Sequence, residues 1–417
     1  MNKFPDSIRA WIAETQTHHR ILFNVGVLAL GIVLIFGMNL LIARNFVGGT
    51  DFYINWSSAQ QLNSEKQNPY EDKTASTIAE NAPDAIFFSL PENTSFSAPI
   101  FSLFPYYPLS LLKDFQLARA IWMTILLVGL LSTILSLDNS SVVADLRYRP
   151  ILYLFIMGNV FTIISLLSGE LFLVSLIFLL LTYKHILKDD FELAGIFCGL
   201  AMVSPVLGFI GMLLFAVYSA SQQRWGFLIW FLITTTLLIF AGYLLLDNWI
   251  PYYLLVASNW LKQTLAIFQL ALKNGIQIVL TAISVLALIF EWFRFSHVFQ
   301  DEQREKWLFN FSFAVIGIAG SILKPALFVL TLPAWMQISE YWYARMNLQA
   351  RVISILNLAI YPVISIVLII IDASILVGQA GVPQIIMVLS TVHLLVGMYW
   401  IRAWIEQDPM KKIIEHM

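Results

Sequence analysis

The sequence predicts an all-α protein that crosses a membrane many times. Of its 417 residues, 59% are hydrophobic and only 12% are charged, whereas about 25% of an ordinary soluble domain is charged. Long apolar runs recur along the chain, and a helical span needs roughly 17 to 25 mostly apolar residues. Charge this sparse does not cover a globular surface, so we expect a polytopic membrane protein, organised as one domain over residues 1–417.

Eight apolar runs are long enough to span the membrane as single helices. The segment before the first run, Met1 to Arg20, is too polar for a cleavable signal peptide. We therefore expect the first span to remain in the protein as a signal anchor. Cys198, the single cysteine, lies in an apolar stretch and is expected to be a small core residue. The predicted spans are 21–43, 116–137, 150–167, 170–187, 225–246, 275–293, 352–371 and 384–403.

Two further apolar segments are interrupted by proline. Ser204-Pro205 divides the segment at about 193–220, and Lys324-Pro325 divides the one at about 307–338. Proline removes a backbone donor and moves the preceding residue out of helical geometry. Each segment is therefore interpreted as a helical hairpin that enters the bilayer and returns, with a simple kinked helix as the alternative. Non-helical backbone at that depth needs burial or a wet cavity, so the breaks are candidate cavity floors.

The distribution of positive charge predicts which side each loop faces. With both hairpins returning to the cytoplasmic side, most of the 24 lysines and arginines lie in cytoplasmic segments, as the positive-inside rule requires. Both termini are then cytoplasmic, and the polar loop at about 44–115 is extracytoplasmic. We expect a bacterial-type plasma membrane as the location. The net charge of −2 gives no reason to expect a nucleic-acid partner.

Asp51 stands at the head of that loop, directly after the first span. Apolar residues follow it at spacings of three and four, which predicts an amphipathic helix lying on the membrane. Asp51 begins this helix, where a carboxylate serves either as an N-cap or as a reactive group. The residues of the apolar face are Phe52, Tyr53, Trp56, Ala59 and Leu62.

The segment GGTDFYINWSSAQQLNSEKQNPY, residues 48–70, resembles the first-loop signature of glycosyltransferase family 87. Later segments keep the family's order. Phe104–Pro108 is similar to its Tyr-Pro segment, 117–122 to the start of its second span, and 194–205 to its Ala-Gly…Gly-Leu-Ala…Lys-Pro hairpin. The resemblance covers roughly residues 20 to 260. Two positions depart from it: Ser204 replaces the lysine before the hairpin proline, and Glu170 replaces a glutamine.

This resemblance implies a C-type glycosyltransferase-like helical bundle. It implies a hexosyltransferase of the cell envelope that moves a sugar, with mannose first, from a polyprenyl-phosphate donor to a hydroxyl of a glycan or glycolipid acceptor. The reaction would invert the anomeric centre on the extracytoplasmic face, with Asp51 as general base and no cofactor. Membrane lipid surrounds the protein in this interpretation, and an arabinofuranosyl donor stays open.

Cations and aromatic rings complete the expected site. A leaving phosphate is stabilised by nearby positive charge, and Arg119 is the first choice, with anchoring of its helix at the interface as the alternative. Lys324 either binds an anion, or snorkels towards water or pairs within the protein. The expected phosphate ligands are Arg119, Lys262, Lys273 and Lys324. The expected sugar-binding rings are Tyr53, Trp56, Tyr70, Tyr106 and Tyr107, which an interfacial aromatic belt explains equally well.

Other kinds of protein fit parts of the same pattern. Two proline-broken segments are typical of transporters and lipid flippases, whose sites are often built from discontinuous helices. A non-catalytic relative that keeps the scaffold is a third interpretation. The chain has no His-Glu-x-x-His motif and no cysteine cluster, so the sequence predicts no metal site.

Overall fold

The computed structural model describes residues 6–46, 48–83, 96–137, 149–271, 275–295, 302–344, 348–372 and 384–407. Side chains are described in these ranges except at 6–24, 65, 149, 260, 261, 263–274, 372 and 384. The described residues form α-helices and short 3₁₀ or π turns, with no strand among them. The prediction of an all-α protein is thus confirmed for this part of the chain.

Sixteen α-helices follow one another in the described ranges. The first eight are α1 (Asp6–Asn45), α2 (Thr50–Gln60), α3 (Asp72–Glu80), α4 (Phe115–Leu137), α5 (Arg149–Gly158), α6 (Val160–Ser168), α7 (Phe172–Ile186) and α8 (Phe191–Leu200). The remainder are α9 (Pro205–Ser221), α10 (Gly226–Leu245), α11 (Trp249–Ala271), α12 (Gly275–Phe295), α13 (Glu302–Ser321), α14 (Leu332–Ala344), α15 (Leu348–Asp372) and α16 (Gln384–Gln407).

Six helices in the described ranges are long and apolar enough to cross a membrane, namely 25–45 of α1, then α4, α10, α12, 348–371 of α15 and 385–407 of α16. These helices carry large apolar side chains on the surface of the chain, such as Leu28, Leu237 and Phe293. In a membrane, lipid tails cover apolar helix faces of this kind. The chain is therefore an integral, multi-pass membrane protein.

Two of the predicted spans differ from single crossing helices. The run predicted at 150–167 is the pair α5 and α6, bent by 54°, because Asn159 ends one helix and caps the next by accepting from the Phe161 N–H. The run predicted at 170–187 is α7, which has only 15 residues. That is shorter than a full crossing requires, so as a full span the prediction is wrong.

Both proline-broken segments fold back on themselves. In the first, the start of α8 meets the end of α9, because the Phe191 ring stacks on the Tyr218 ring with centroids 6.4 Å apart. In the second, Lys306 of α13 pairs with Glu340 of α14 at 3.2 Å. Each break, at Ser204 and at Lys324, therefore lies at the tip of a hairpin whose two arms return together.

The helix predicted to lie on the membrane is instead packed inside the protein. Helix α2 buries Phe52, Tyr53 and Trp56, but it also buries Ser57 and Ser58 on its other face. It packs against the 3₁₀ turns Ile100–Tyr106 and Leu109–Leu111 and against α4 and α6. Because it is enclosed on both sides, α2 holds its first turn in a fixed place against the spans.

Candidate functional site

Asp51 is the second residue of α2, and it does not cap that helix. Gly49 is the N-cap residue, and no side chain makes a capping hydrogen bond. Gly49 has φ +89°, and a Cβ there would lie 2.8 Å from the Arg119 side chain, so the chain needs glycine at this point. The interpretation of Asp51 as an N-cap is therefore wrong, and its carboxylate is available for another contact.

That contact is with the tip of the second hairpin. Lys324 Nζ donates to Asp51 Oδ2 at 2.9 Å and lies 2.6 Å from Glu170 Oε1. One ammonium group is thus shared by two carboxyl groups that come from two other parts of the chain. The side chain of Glu170 is only 5% exposed, whereas those of Asp51 and Lys324 are 34% and 44% exposed. We call these three residues the charge cluster.

Glu170 is fixed by the way α6 ends. Gly169 has φ +73°, and a Cβ there would come within 2.5 Å of Phe52, so glycine is required here as well. The Trp122 Nε1–H donates to the carbonyl of Gly169 at 3.1 Å. The glycine turn and this hydrogen bond hold the backbone that carries Glu170 without any help from its carboxyl group.

The charge cluster lines a cavity of about 340 Å³, within the range of about 300–1,000 Å³ that is usual for small-molecule sites. The tips of both hairpins contribute to its wall through Ser204 and Lys324. These two positions therefore face one space, although Ser204 stands where a lysine was expected and Lys324 comes from the other hairpin. The remaining lining residues are Ile54, Asn55, Ser97, Ala98, Leu171, Phe172, Val206, Leu207, Leu323 and Leu327.

Val206 and Leu207, in the first turn of α9, also line this cavity. The first intrahelical bond of α9 runs from the Gly208 N–H to the Ser204 carbonyl, at 2.9 Å. The N–H groups of Val206 and Leu207 precede that bond and belong to the unpaired first turn of a helix, which favours anions. An anion in the cavity would meet these amides from one hairpin and Lys324 from the other.

The neighbours of each carboxyl set its proton affinity. Burial raises the pKa of Asp51, but the Lys324 charge and hydrogen bonds from Glu170 and Lys324 outweigh it, so the pKa lies below its usual value. For Glu170, burial and the Asp51 charge outweigh Lys324 and raise the pKa to about 8. When two carboxyl groups share a site, the charge on one raises the pKa of the other, so their pKa values move apart. At neutral pH, Asp51 is ionised and Glu170 is mostly protonated.

Two of the other expected phosphate ligands, Arg119 and Lys262, are not part of the cavity wall. Arg119 is fully buried and donates to the carbonyls of Phe46 and Leu167 at 2.9 and 3.0 Å. Lys262 is exposed on α11, and Lys273 lies outside the described residues. Of the three expected phosphate ligands that the structure describes, Lys324 is the one that the fold brings to Asp51.

The expected sugar-binding rings are used inside the loop that surrounds α2. Tyr53, Trp56 and Tyr70 each donate to a backbone carbonyl, of Ile78, Leu109 and Ala98 respectively. The fully buried Tyr106 ring lies 4.4 Å from that of Trp122, and Tyr107 is half-buried. None of the five rings is part of the cavity wall among the described residues.

Glu170, Ser204 and Asn55 line the cavity without having been assigned to the site from sequence. Glu170 and Ser204 carried a signal, because each departs from the pattern that its surroundings resemble. Asn55 carried none. No group of three histidine, cysteine, aspartate or glutamate side chains in the described ranges is placed to hold a metal ion.

Comparison with known proteins adds no relative to this description. No protein-family model, curated protein or solved structure matches the chain. The fold and the site define an integral membrane protein of bundled helices, with a charged cavity at the tips of two returning hairpins.

Proposed function

We propose that this chain is a glycosyltransferase that moves a sugar from a polyprenyl-phosphate donor to an acceptor hydroxyl on the extracytoplasmic side of the membrane. The observation that carries the proposal is the placement of Asp51, Ser204 and Lys324 around one cavity at the hairpin tips. A base, a cation and a helix N-terminus are the groups that such a transfer needs. The resemblance of residues 48–70 to the family 87 signature supports the same reaction and makes mannose the first sugar to test.

The wall of the cavity supports a lipid-linked donor. Val206 and Leu323 line it, and they are 50% and 38% exposed. Beyond Val206, the exposed face of α9 continues through Phe209, Ile210 and Leu213. A donor with its phosphate at Lys324 can therefore lay its polyprenyl tail along apolar surface while its sugar occupies the polar end of the cavity.

In the proposed reaction, the acceptor oxygen forms a bond to the anomeric carbon as the bond from that carbon to the phosphate oxygen breaks. Asp51 takes the proton of the acceptor hydroxyl. The bonding electron pair leaves with the phosphate oxygen, where Lys324 and the first turn of α9 stabilise the added negative charge. Displacement in one step inverts the anomeric configuration. The lowered pKa of Asp51 keeps it ionised and ready to accept a proton at neutral pH.

The test is sugar transfer by purified protein in lipid nanodiscs, from synthetic polyprenyl-phosphate mannose to an extract of membrane glycolipids and glycans. We expect Asp51→Asn to lower kcat by about 10² to 10⁴-fold, the usual contribution of general base catalysis. Asp72→Asn is the matched control, because Asp72 is an exposed carboxylate in the first turn of α3 in the same loop. It should keep wild-type kcat.

Wild-type kcat in Asp51→Asn would contradict the role of Asp51. Failure of the wild-type protein to transfer mannose, arabinofuranose or another sugar from any polyprenyl-phosphate donor would contradict the proposed function as a whole. That second result would turn attention to a non-catalytic relative or to transport.

Transport is the second candidate, and the observation that favours it is that the charge cluster lines a cavity at the tips of two discontinuous helices. Ion-coupled carriers commonly place ionisable groups at such breaks. In proteoliposomes, a carrier would move an intact lipid-linked sugar between leaflets without breaking the bond to phosphate. Mass spectrometry of the recovered lipid distinguishes the two activities, since transfer releases the free polyprenyl phosphate.

A further inference from the structure

Glu170 is the member of the charge cluster that the proposed reaction leaves without a role. Its carboxyl is almost completely buried, and its Oε1 lies 2.6 Å from Lys324 Nζ, closer than the Asp51 oxygen at 2.9 Å. A neutral glutamine at this position would offer Lys324 a carbonyl oxygen but no charge. The presence of an acid here therefore changes how strongly Lys324 is held.

We propose that Glu170 is a positioning residue that sets whether Lys324 is free to bind the donor phosphate. In its protonated form it leaves Lys324 with one charged partner, Asp51, so an incoming phosphodiester can compete for the ammonium group. In its ionised form it holds Lys324 between two carboxylates. This inference rests on the phosphate-binding part of the proposed function and deepens it by adding regulation of donor binding.

The charge balance of the cluster gives the inference its direction. Asp51⁻, Lys324⁺ and protonated Glu170 sum to zero, and the single negative charge of a phosphodiester is then accepted without net repulsion. Ionised Glu170 makes the cluster negative before the donor arrives. Like charges at hydrogen-bond distance in a partly buried site repel strongly.

The groups that face Glu170 come from three other elements. Asp51 faces it from α2, Lys324 from the tip of the second hairpin, and Tyr106 from the 3₁₀ turn at 100–106. Burial, with the Asp51 and Glu170 charges, raises the pKa of Tyr106 well above its usual value, so its hydroxyl stays neutral. Glu170, with a pKa raised to about 8, is the member that changes charge on mildly alkaline titration.

The affinity for the donor should fall as the pH rises. Below about pH 8, Glu170 is mostly protonated and the donor binds. As the pH rises through that pKa, Glu170 ionises and affinity for a phosphodiester falls, by about tenfold per pH unit in the limit where only the protonated form binds. Because kcat depends on Asp51, which is already ionised, the effect should appear in donor KM more than in kcat.

The probe is citronellyl methyl phosphate, a short isoprenyl phosphodiester whose single charge is constant from pH 6 to 9.5. Its Kd is measured by calorimetry on the whole protein in nanodiscs, for wild type, Glu170→Gln and Glu170→Asp. We expect wild-type Kd to rise at least tenfold between pH 7 and 9.5, and Glu170→Gln to bind equally at both. Glu170→Asp keeps an ionisable group and should restore an alkaline rise.

Glu340→Gln is the matched control. Glu340 is also a mostly buried glutamate paired with a lysine of the second hairpin, Lys306, at 3.2 Å, but it lies in the arm and lines a separate small cavity of about 30 Å³. It should reproduce the wild-type dependence of Kd on pH. The backbone support of Glu170 from Gly169 and Trp122 makes Glu170→Gln a variant that keeps the fold, which its unchanged Tm would verify.

An equal rise of Kd with pH in wild type and Glu170→Gln would overturn the inference, as would absence of phosphodiester binding at every pH. Failure of the proposed function is distinguishable from both. In that case the diester binds with the expected dependence on Glu170, but no sugar is transferred from any donor.

Discussion

A buried guanidinium needs hydrogen-bond partners, and Arg119 finds two of them in backbone carbonyls, through its two terminal nitrogens. It links the carbonyl of Phe46, just after α1, to that of Leu167 at the end of α6. Those two chain ends lead into Asp51 and Glu170. Arg119 therefore holds together the backbone on which both carboxylates stand, from behind the cavity and not within it.

Arg119→Met should lower stability, because it removes both donors and leaves the buried Leu167 carbonyl without the guanidinium donor, at a cost of about 1–3 kcal/mol. The measurement is the thermal unfolding midpoint in nanodiscs, where we expect a clear decrease in Tm. Arg294→Met is the control, since Arg294 is half exposed and pairs with Glu406 at 3.1 Å, a surface contact worth about 0–1 kcal/mol. Unchanged Tm in Arg119→Met, together with weakened phosphodiester binding, would instead support the phosphate-binding role predicted from sequence.

At the scale of elements, each hairpin tip needs polar partners for the backbone that proline leaves unpaired. Ser175 of α7 supplies them for the first tip, since its Oγ donates to the Ala201 carbonyl at 2.7 Å and accepts from the Ser204 N–H at 3.0 Å. Ser165 of α6 donates to the Ala326 carbonyl beside the second tip at 3.1 Å. Irregular backbone inside a membrane protein is stable when its N–H and C=O groups find hydrogen-bond partners within the protein.

Ser175→Ala should therefore destabilise the first tip by about 1–3 kcal/mol and move Ser204 relative to Lys324. We expect a lower Tm and a higher donor KM in the same variant. Ser132→Ala is the matched control, because Ser132 is exposed on α4 and donates only within its own helix, to Gly129. Similar Tm values for the two variants would show that the tip is held by packing alone.

The proline breaks and the amphipathic spacing of the first loop are local properties, so both are visible in the sequence. The depth at which α2 is buried is not local. Phe52 is enclosed because Phe115 and Trp122 of α4 and Tyr106 of the 3₁₀ turn surround its ring. The spacing alone fits a helix on a membrane surface equally well, because the rings that enclose α2 come from distant parts of the sequence.

At the scale of the whole molecule, the predicted orientation places the cavity on the extracytoplasmic face and the bases of both hairpins in the cytoplasm. Two exposed serines mark these ends. Ser76 lies in α3, within the loop that encloses α2, and Ser221 is the last residue of α9, at the base of the first hairpin. Both are small and polar, so cysteine is accepted at either position.

In a Cys198→Ala background, which removes the one natural thiol, Ser76→Cys should react with a membrane-impermeant maleimide in intact cells. Ser221→Cys should react only after permeabilisation. The reason is that positive charge concentrates on the cytoplasmic side of multi-span proteins. Labelling of Ser221→Cys in intact cells, with protection of Ser76→Cys, would reverse the predicted orientation.

The sequence by itself determined that this is a helical membrane protein and where the two proline-broken hairpins turn. Long apolar runs have few other stable forms in lipid, since every backbone group must be paired within its own segment, and Pro205 and Pro325 each remove a donor from that pairing. Two of the long runs differ from this expectation: α5 with α6 is bent at Asn159, whose side chain caps the second helix, and α7 has only 15 residues.

Only the tertiary structure decided which charges meet. Lys324 and Asp51 are 273 residues apart, and no periodicity relates them, so their contact depends on how two hairpins pack around α6 and α7. The same packing turned Arg119 into a backbone clasp and Glu170 into a partner of Lys324. Charge pairing across a fold is a property of distances in space, and sequence spacing constrains those distances only within a single element.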